Sequence, residues 1–275
     1  MRTVKIGHSP DADDAFMFYA LTAGKVKIPG IAIEHVLEDI ESLNRRARTG
    51  DLDVTAVSFA TYLLIADQYR MMDAGASMGI GYGPILVART PIPVTELENR
   101  VVASPGKHTT SALLLRLYVG DPPLIEVPFD KIPQAVLDGQ ADLGLLIHEG
   151  QITHQQMGLT KVLDLGESWQ RDTGLPLPLG VNVMRRELGE DVHRAISQGL
   201  RDSIAWAHAN VDEALDYAMR YGRGIDKETC RRFVLMYVNN YTLSLGPDGR
   251  AAVECLFTMA RDRGLIGEIP ALDPI

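Results

Sequence analysis

The pattern that most restricts the fold occurs twice. Residues Gly50, Asp51, Leu52 and Asp53 lead into the apolar run Val54-Thr55-Ala56-Val57, which stops at Ser58. Residues Gly139, Gln140, Ala141 and Asp142 lead in the same way into Leu143-Gly144-Leu145-Leu146-Ile147, which stops at His148, Glu149 and Gly150. A short apolar run bounded by glycine reads as a buried strand, and a glycine following a helix reads as its left-handed cap. Buried parallel strands hand their carboxyl ends to a crevice. Two such units, one presenting Ser58 and the other His148, predict two α/β lobes that share one cleft.

The rest of the chain fits that frame. Val4–Gly7 reads as a first strand, broken at His8–Asp14 and followed by a helix over 15–21. Acidic and hydroxyl residues ahead of an apolar segment are a helix-start signal. A strand over 31–36, a helix over 40–48, the strand ending at Ser58 and a helix over 61–67 complete a first α/β unit. A long strand over 81–89 leaves it. A second unit runs from a strand over 101–104 through helices over 112–118 and 132–137 to the strand ending at His148. The segment 175–183 reads as a return crossing.

From Asp191 on the pattern is helical, with Val192, Ala195, Ile196, Leu200, Ile204 and Ala207 on one face. Helices are also expected over 227–238 and 248–263, the last capped by Gly264 and packing back on the first lobe. The predicted organisation is a larger discontinuous lobe, 1–88 plus 184–275, around a smaller lobe, 89–183, that carries His148.

Composition narrows the function. The 275 residues carry 27 Lys and Arg against 36 Asp and Glu, a net charge of −9, with no polybasic patch to neutralise phosphates, so no nucleic-acid partner is expected. No apolar run approaches the roughly 20 residues that cross a bilayer, so no membrane partner is expected either. Two cysteines, Cys230 and Cys255, have no ligand spacing and make no disulfide framework. The chain already reads as strand from Met1 to Gly7, leaving no room for an export segment, which points to the cytoplasm.

His148 is the foremost candidate for chemistry. An imidazole with an unperturbed pKa of about 6.5 serves as a general base at neutral pH, although a strand-end histidine can also simply bond a backbone carbonyl. Thr109, Thr110 and Ser111 follow Ser104-Pro105-Gly106-Lys107-His108 at a helix start, where backbone amides receive an anion and where a hydroxyl also caps. Walker spacing is absent. Ser58 lacks the Gly-x-Ser-x-Gly elbow, so its expected role is binding, with Ala56 beside it. Ser9 and the carboxylates Asp11, Asp13 and Asp14 are placed to cap a helix, by Asp13 or Asp14, or to grip a cation or sugar hydroxyls. His154 follows His148 by an interval unlike zinc pairs, and no dinucleotide fingerprint occurs, so neither metal nor cofactor is expected.

Taken with Ser9-Pro10, Asp14-x-Phe16, Ser58-Phe59, the stretch Ser104–Thr110 and the stretch Gly144–Gln151, the sequence resembles the 1,4-dihydroxy-6-naphthoate synthases of the futalosine route to menaquinone, relatives of the chorismate dehydratases. The resemblance implies a two-lobed fold like that of type II periplasmic solute-binding proteins, with mixed or parallel sheets, flanking helices and a cleft. It implies a cofactor-independent carbon-carbon lyase that converts cyclic dehypoxanthine futalosine to 1,4-dihydroxy-6-naphthoate and a dihydroxyacetone fragment. By motif, His148 would be the base; Thr109, Thr110 and Ser111 would receive the carboxylate side of the substrate, with Ala56, Ser58, Ser9 and Asp14 as further contacts. Where such enzymes often carry Ser-Pro-Cys-Pro-Asn-Asp-Thr-Phe, this chain has Asp11, Ala12, Asp13 and Ala15 in place of Cys, Pro, Asn and Thr. A chorismate dehydratase and a non-catalytic solute-binding protein are the alternatives.

Overall fold

A computed structural model describes residues 1–275. In chain order the elements are β1 (Arg2–His8), α1 (Ala12–Thr22), β2 (Ile31–Leu37), α2 (Ile40–Thr49), β3 (Val54–Ser58), α3 (Phe59–Tyr62), β4 (Tyr69–Met71), β5 (Ser77–Gly79), β6 (Ile85–Ala88), β7 (Val102–Ser104), α4 (Thr110–Tyr118) and β8 (Leu124–Glu126). There follow α5 (Ile132–Leu137), β9 (Leu143–Leu146), α6 (Gly150–Thr153), β10 (Thr160–Asp164), α7 (Leu165–Thr173), β11 (Leu177–Arg185), α8 (Glu190–Ala209), α9 (Val211–Ala218), α10 (Lys227–Tyr237), α11 (Asn240–Leu243) and α12 (Gly246–Asp262).

The chain divides into two units, one of Met1–Met78, Gly180–Arg250 and Pro270–Ile275, the other of Gly79–Leu179 and Ala251–Ile269. These bounds differ from the sequence expectation for physical reasons that hydrophobic patterning does not carry. Strand β6, expected in the first unit, pairs with both β9 and β10 and so lies in the second sheet. Residues 180–183 of β11 pair with β3 and so lie in the first. Helix α12 buries Ala252, Val253, Leu256 and Phe257, and from Ala251 it groups with the second unit; periodicity shows that a face is buried and not what covers it.

The first unit is built on a sheet of order β2-β1-β3-β11-β4, with β5 beside β11. β1 runs parallel to β2 and β3, whereas β11 runs antiparallel to β3 and β4. Helix α1 packs on α8, α9 and α10. Leu43, Leu52 and Ala56 make one apolar cluster, backed by Val36 and Ile40. Gly7 lets β1 lie against it, since a Cβ there would meet Leu52 at 2.7 Å and Leu43 at 2.8 Å. Burying one such leucine is worth about 1.5 to 3 kcal/mol.

The second unit has a sheet of order β10-β6-β9-β7-β8. β7 runs parallel to β8 and β9, and β6 runs antiparallel to β9 and β10. Ile85, Val87, Ala103, Ile132, Val136 and Leu146 lie in its core.

The repeated Gly-x-x-Asp has the same structural meaning in both units. Gly50 and Gly139 follow α2 and α5 with φ of 71° and 74°, the left-handed turn that ends a helix cheaply only at glycine. Each aspartate then caps the amide of a neighbouring strand segment: Lys5 N–H donates to Asp53 Oδ2 at 2.9 Å, and Val101 N–H donates to Asp142 Oδ2 at 3.0 Å. These bonds set the height at which β3 and β9 enter their sheets, and hence where Ser58 and His148 emerge.

Several local expectations change. Strand β6 starts at Ile85 rather than at residue 81, because Pro84 has no N–H for a ladder. The helix expected over 61–67 is only α3, ending at Tyr62, and the chain then passes through turns. Strand β9 stops at Leu146, so His148 stands two residues beyond it, in a turn.

Candidate functional site

In the first unit Ser58 ends β3 and is held by Asn44 from α2. Ser58 N–H donates to Asn44 Oδ1 at 2.9 Å, while Asn44 Nδ2–H donates to Ser58 Oγ at 3.2 Å. Both side chains are buried. Because Oγ accepts from Asn44, the serine proton points elsewhere as a donor. Asn44 was missed by sequence reasoning, and its signal was there: an asparagine on the buried stripe of Leu43 and Ala47 in an otherwise polar helix. The side chain of Ala56 packs in the apolar cluster with Leu43 and Leu52, as core.

The loop after β1 gathers the second set. Asp11, rather than Asp13 or Asp14, caps α1, its Oδ1 accepting Asp14 N–H at 3.2 Å. Asp13 and Asp14 occupy the first helical turn instead, where negative charge suits the dipole. Asp14 reaches back so that its Oδ2 accepts Ser9 N–H at 2.6 Å. Burial, followed by repulsion from Asp11, pushes the Asp14 carboxyl well above the usual carboxylate range. The Ser9 hydroxyl is buried with no hydrogen-bond partner in the protein.

In the second unit Thr109 caps α4, its Oγ1 accepting Ala112 N–H at 3.2 Å. All three hydroxyl protons of this turn have protein acceptors. Thr109 donates to Gly106 O at 2.8 Å and Thr110 to Leu179 O at 2.7 Å. Ser111 then supplies the proton in its 2.8 Å bond with Thr109. With the hydroxyl protons spent on protein acceptors, what the turn presents to an anion is the positive end of the helix dipole rather than its hydroxyls.

His148 has φ of 54°, one of only two non-glycine residues with positive φ in the chain. Holding an ordinary residue there costs about 1 to 2 kcal/mol, and such strain concentrates where a side chain must point in one direction. The ring is half-buried and lies edge-on to Phe129, with centroids 4.9 Å apart. Gln151 N–H donates to His148 O at 3.2 Å, starting the short helix α6. Glu149, next in the chain, is buried. His154 sits at the end of the same helix, its Nδ1 3.0 Å from Gln151 O.

Comparison with known proteins gives these residues a family. The profile of a family described as menaquinone biosynthesis matches residues 4–262. The chain belongs to this menaquinone-biosynthesis family. A curated relative from Thermus thermophilus, named as a 1,4-dihydroxy-6-naphthoate synthase, is 42% identical over 270 residues, covering 98% of both chains. Another of the same name from Streptomyces coelicolor is 36% identical, covering 99% of this chain and 96% of its own. A solved structure from Archaeoglobus fulgidus superimposes with a TM-score of 0.93 at 50% identity, covering 96% of this chain and 98% of that one. The fold is also that of solute-binding proteins: an alkanesulfonate-binding protein from Xanthomonas axonopodis matches with a TM-score of 0.72 at 12% identity, covering 98% of this chain and 95% of its own. The family to which the chain belongs thus carries a binding-protein-like architecture. No helix is long and apolar enough to cross a membrane.

Proposed function

We propose that the chain is a 1,4-dihydroxy-6-naphthoate synthase, a carbon-carbon lyase that releases 1,4-dihydroxy-6-naphthoate and dihydroxyacetone from cyclic dehypoxanthine futalosine without a cofactor. The observation that carries the reading is His148, an imidazole held at φ of 54° beyond β9. The two curated synthases, similar over nearly the full length, support it.

In this reading His148 is the general base that removes the proton initiating cleavage. The first turn of α4, at Thr109, Thr110 and Ser111, receives the carboxylate of the substrate through backbone amides and the positive end of the helix dipole. Ser58, whose Oγ accepts from Asn44, turns its proton to the substrate. Ser9 and Asp14 meet the hydroxylated part. Neither nucleic acid nor membrane takes part, and the cytoplasm is the proposed compartment.

Purified protein incubated separately with cyclic dehypoxanthine futalosine and with chorismate, with products followed by mass spectrometry, tests the assignment. Release of the naphthoate from the first alone is expected. Dehydration of chorismate would reassign the reaction, and recovery of both compounds unchanged would make the chain a binding protein.

A further inference from the structure

The backbone of His148 sets where its Cβ points, but two side-chain torsions still lie between Cα and the ring. A φ of 54° does not by itself choose χ1 and χ2, and each choice carries the imidazole to a different place. A reacting group misplaced by about 1 Å can lose about a hundredfold in rate, so a base on a turn needs a second constraint. Phe129 supplies one. Its ring centroid lies 4.9 Å from that of His148, with the planes 60° apart, the spacing and tilt of an attractive edge-to-face pair.

Phe129 is itself held firmly. Ahead of it, Val127 N–H donates to Ser104 O at 3.0 Å, which pins the end of β8 to β7, and Pro128 follows with φ of −48°. After it, Lys131 N–H donates to Pro128 O at 2.8 Å, closing the single turn Phe129–Lys131 that leads into α5. Asp130 and Lys131 are exposed and pair with each other at 3.3 Å, so Phe129 alone of the three turns inward. It packs against the apolar cluster that includes Ile132, Val136 and Leu146, the last residue of β9. One phenyl ring thus ties the imidazole to the core that anchors the strand ahead of it. Covering that core needs only apolar volume, which a leucine also provides, whereas holding an imidazole edge-on needs a ring.

We infer that Phe129 is a positioning residue for the base, its ring holding the His148 imidazole in the orientation that takes the proton; the catalytic half of this rests on the reaction proposed above.

The test has two arms. The first uses ligand-free, full-length protein labelled with 13C-histidine, the His148 signal being identified by its loss in His148→Ala. Overhauser contacts between the His148 imidazole and the Phe129 ring are expected in the unaltered protein. In Phe129→Leu the ring-current shift of the imidazole is expected to vanish and its 13C relaxation to report more motion, and Phe129→Tyr, which keeps the ring, is expected to restore the order. Missing Overhauser contacts, or an imidazole equally ordered in Phe129→Leu, overturns the inference whatever the reaction. The second arm follows turnover of cyclic dehypoxanthine futalosine. Phe129→Leu is expected to lower kcat by about threefold to tenfold with KM changed by less than about twofold, and Phe129→Tyr to recover most of kcat. An unaltered kcat in Phe129→Leu, a loss confined to KM, or equal losses in the two variants overturns the positioning role. Should Phe129→Leu not fold, Phe129→Met replaces it in both arms, and the Overhauser contacts of the unaltered protein still decide the geometry. Absence of turnover by the unaltered protein overturns the proposed reaction, and the first arm then decides the contact by itself.

Discussion

Asn44 and Ser58 hold each other through two hydrogen bonds, one to the serine amide and one to its hydroxyl, so that a helix residue sets both the position of the strand end and the direction of its proton. The two bonds separate by substitution. Asn44→Ala leaves the buried Ser58 N–H without an acceptor and is expected to lower stability by about 1 to 3 kcal/mol, read as the urea midpoint. Asn44→Asp keeps an acceptor for the amide but presents a second acceptor to Oγ. The serine proton then turns toward the carboxylate, and KM is expected to rise about tenfold or more with less change in kcat. An Asn44→Asp enzyme with unaltered KM would show that the Ser58 proton does not serve the substrate.

The left-handed backbone at His148 separates side chain from strain. His148→Ala removes the imidazole and keeps the strain, and turnover is expected to fall by about 10²- to 10⁴-fold while the protein remains folded. His148→Gly removes both and is expected to be more stable than His148→Ala by about 1 kcal/mol, since glycine takes positive φ without the steric penalty. Thermal unfolding of the pair measures the second effect, and product release measures the first. Parent-rate turnover in either variant would remove His148 from the role of base.

Where both strands begin was legible in sequence because local chemistry specifies it. Gly50 and Gly139 need positive φ, and the apolar runs after Asp53 and Asp142 have no place but a core. Helix α8 was equally plain, its face of Ile196, Leu200 and Ile204 being fully internal. What stayed hidden depends on partners distant in the chain. Nothing local tells Ile85–Ala88 that its ladder partners are β9 and β10, or tells α12 which core its apolar face joins. Strand β10, half-buried and only five residues long, has too little contrast to be seen as period two. Asn44 and the pair His8 and His35 were missed for the same reason: a polar residue in the interior gains its meaning from its hydrogen-bond partner.

Gly166 is required by a close approach rather than by its backbone angles. A Cβ there would lie 2.1 Å from Tyr82 C and 2.2 Å from Gly83 N, atoms that cannot swing aside as a side chain can. The approach is fastened by Leu165 N–H donating to Pro84 O at 3.0 Å and by Asp164 capping α7 through the amides of Gly166 and Glu167. Gly166→Ala must push α7 away from the segment ahead of β6, and is expected to cost more than about 2 kcal/mol, as overpacking against a rigid partner does. A melting temperature within a degree of the parent would show that the backbone yields.

Burial keeps His8, at the end of β1, neutral and makes stability depend on acid. Burial first, then the neighbouring His35, hold its pKa down at about 3, against the partly offsetting pull of Asp11 and the Ser9 backbone. Above the unfolded value of about 6.5 neither state binds the proton and the group is neutral toward stability. As pH falls below that value the unfolded chain takes up a proton that the folded chain refuses until pH approaches 3, so stability declines through the window between the two. At pH 4.5 the loss from this residue is on the order of 2 to 3 kcal/mol relative to pH 7, at about 1.4 kcal/mol per pH unit. His8→Phe abolishes the linkage, so its urea midpoint is expected to fall less between pH 7 and 4.5 than that of the unaltered protein. Parallel declines in the two proteins would mean that His8 takes up its proton in the folded state as readily as in the unfolded chain, and a ring held neutral by burial would be ruled out.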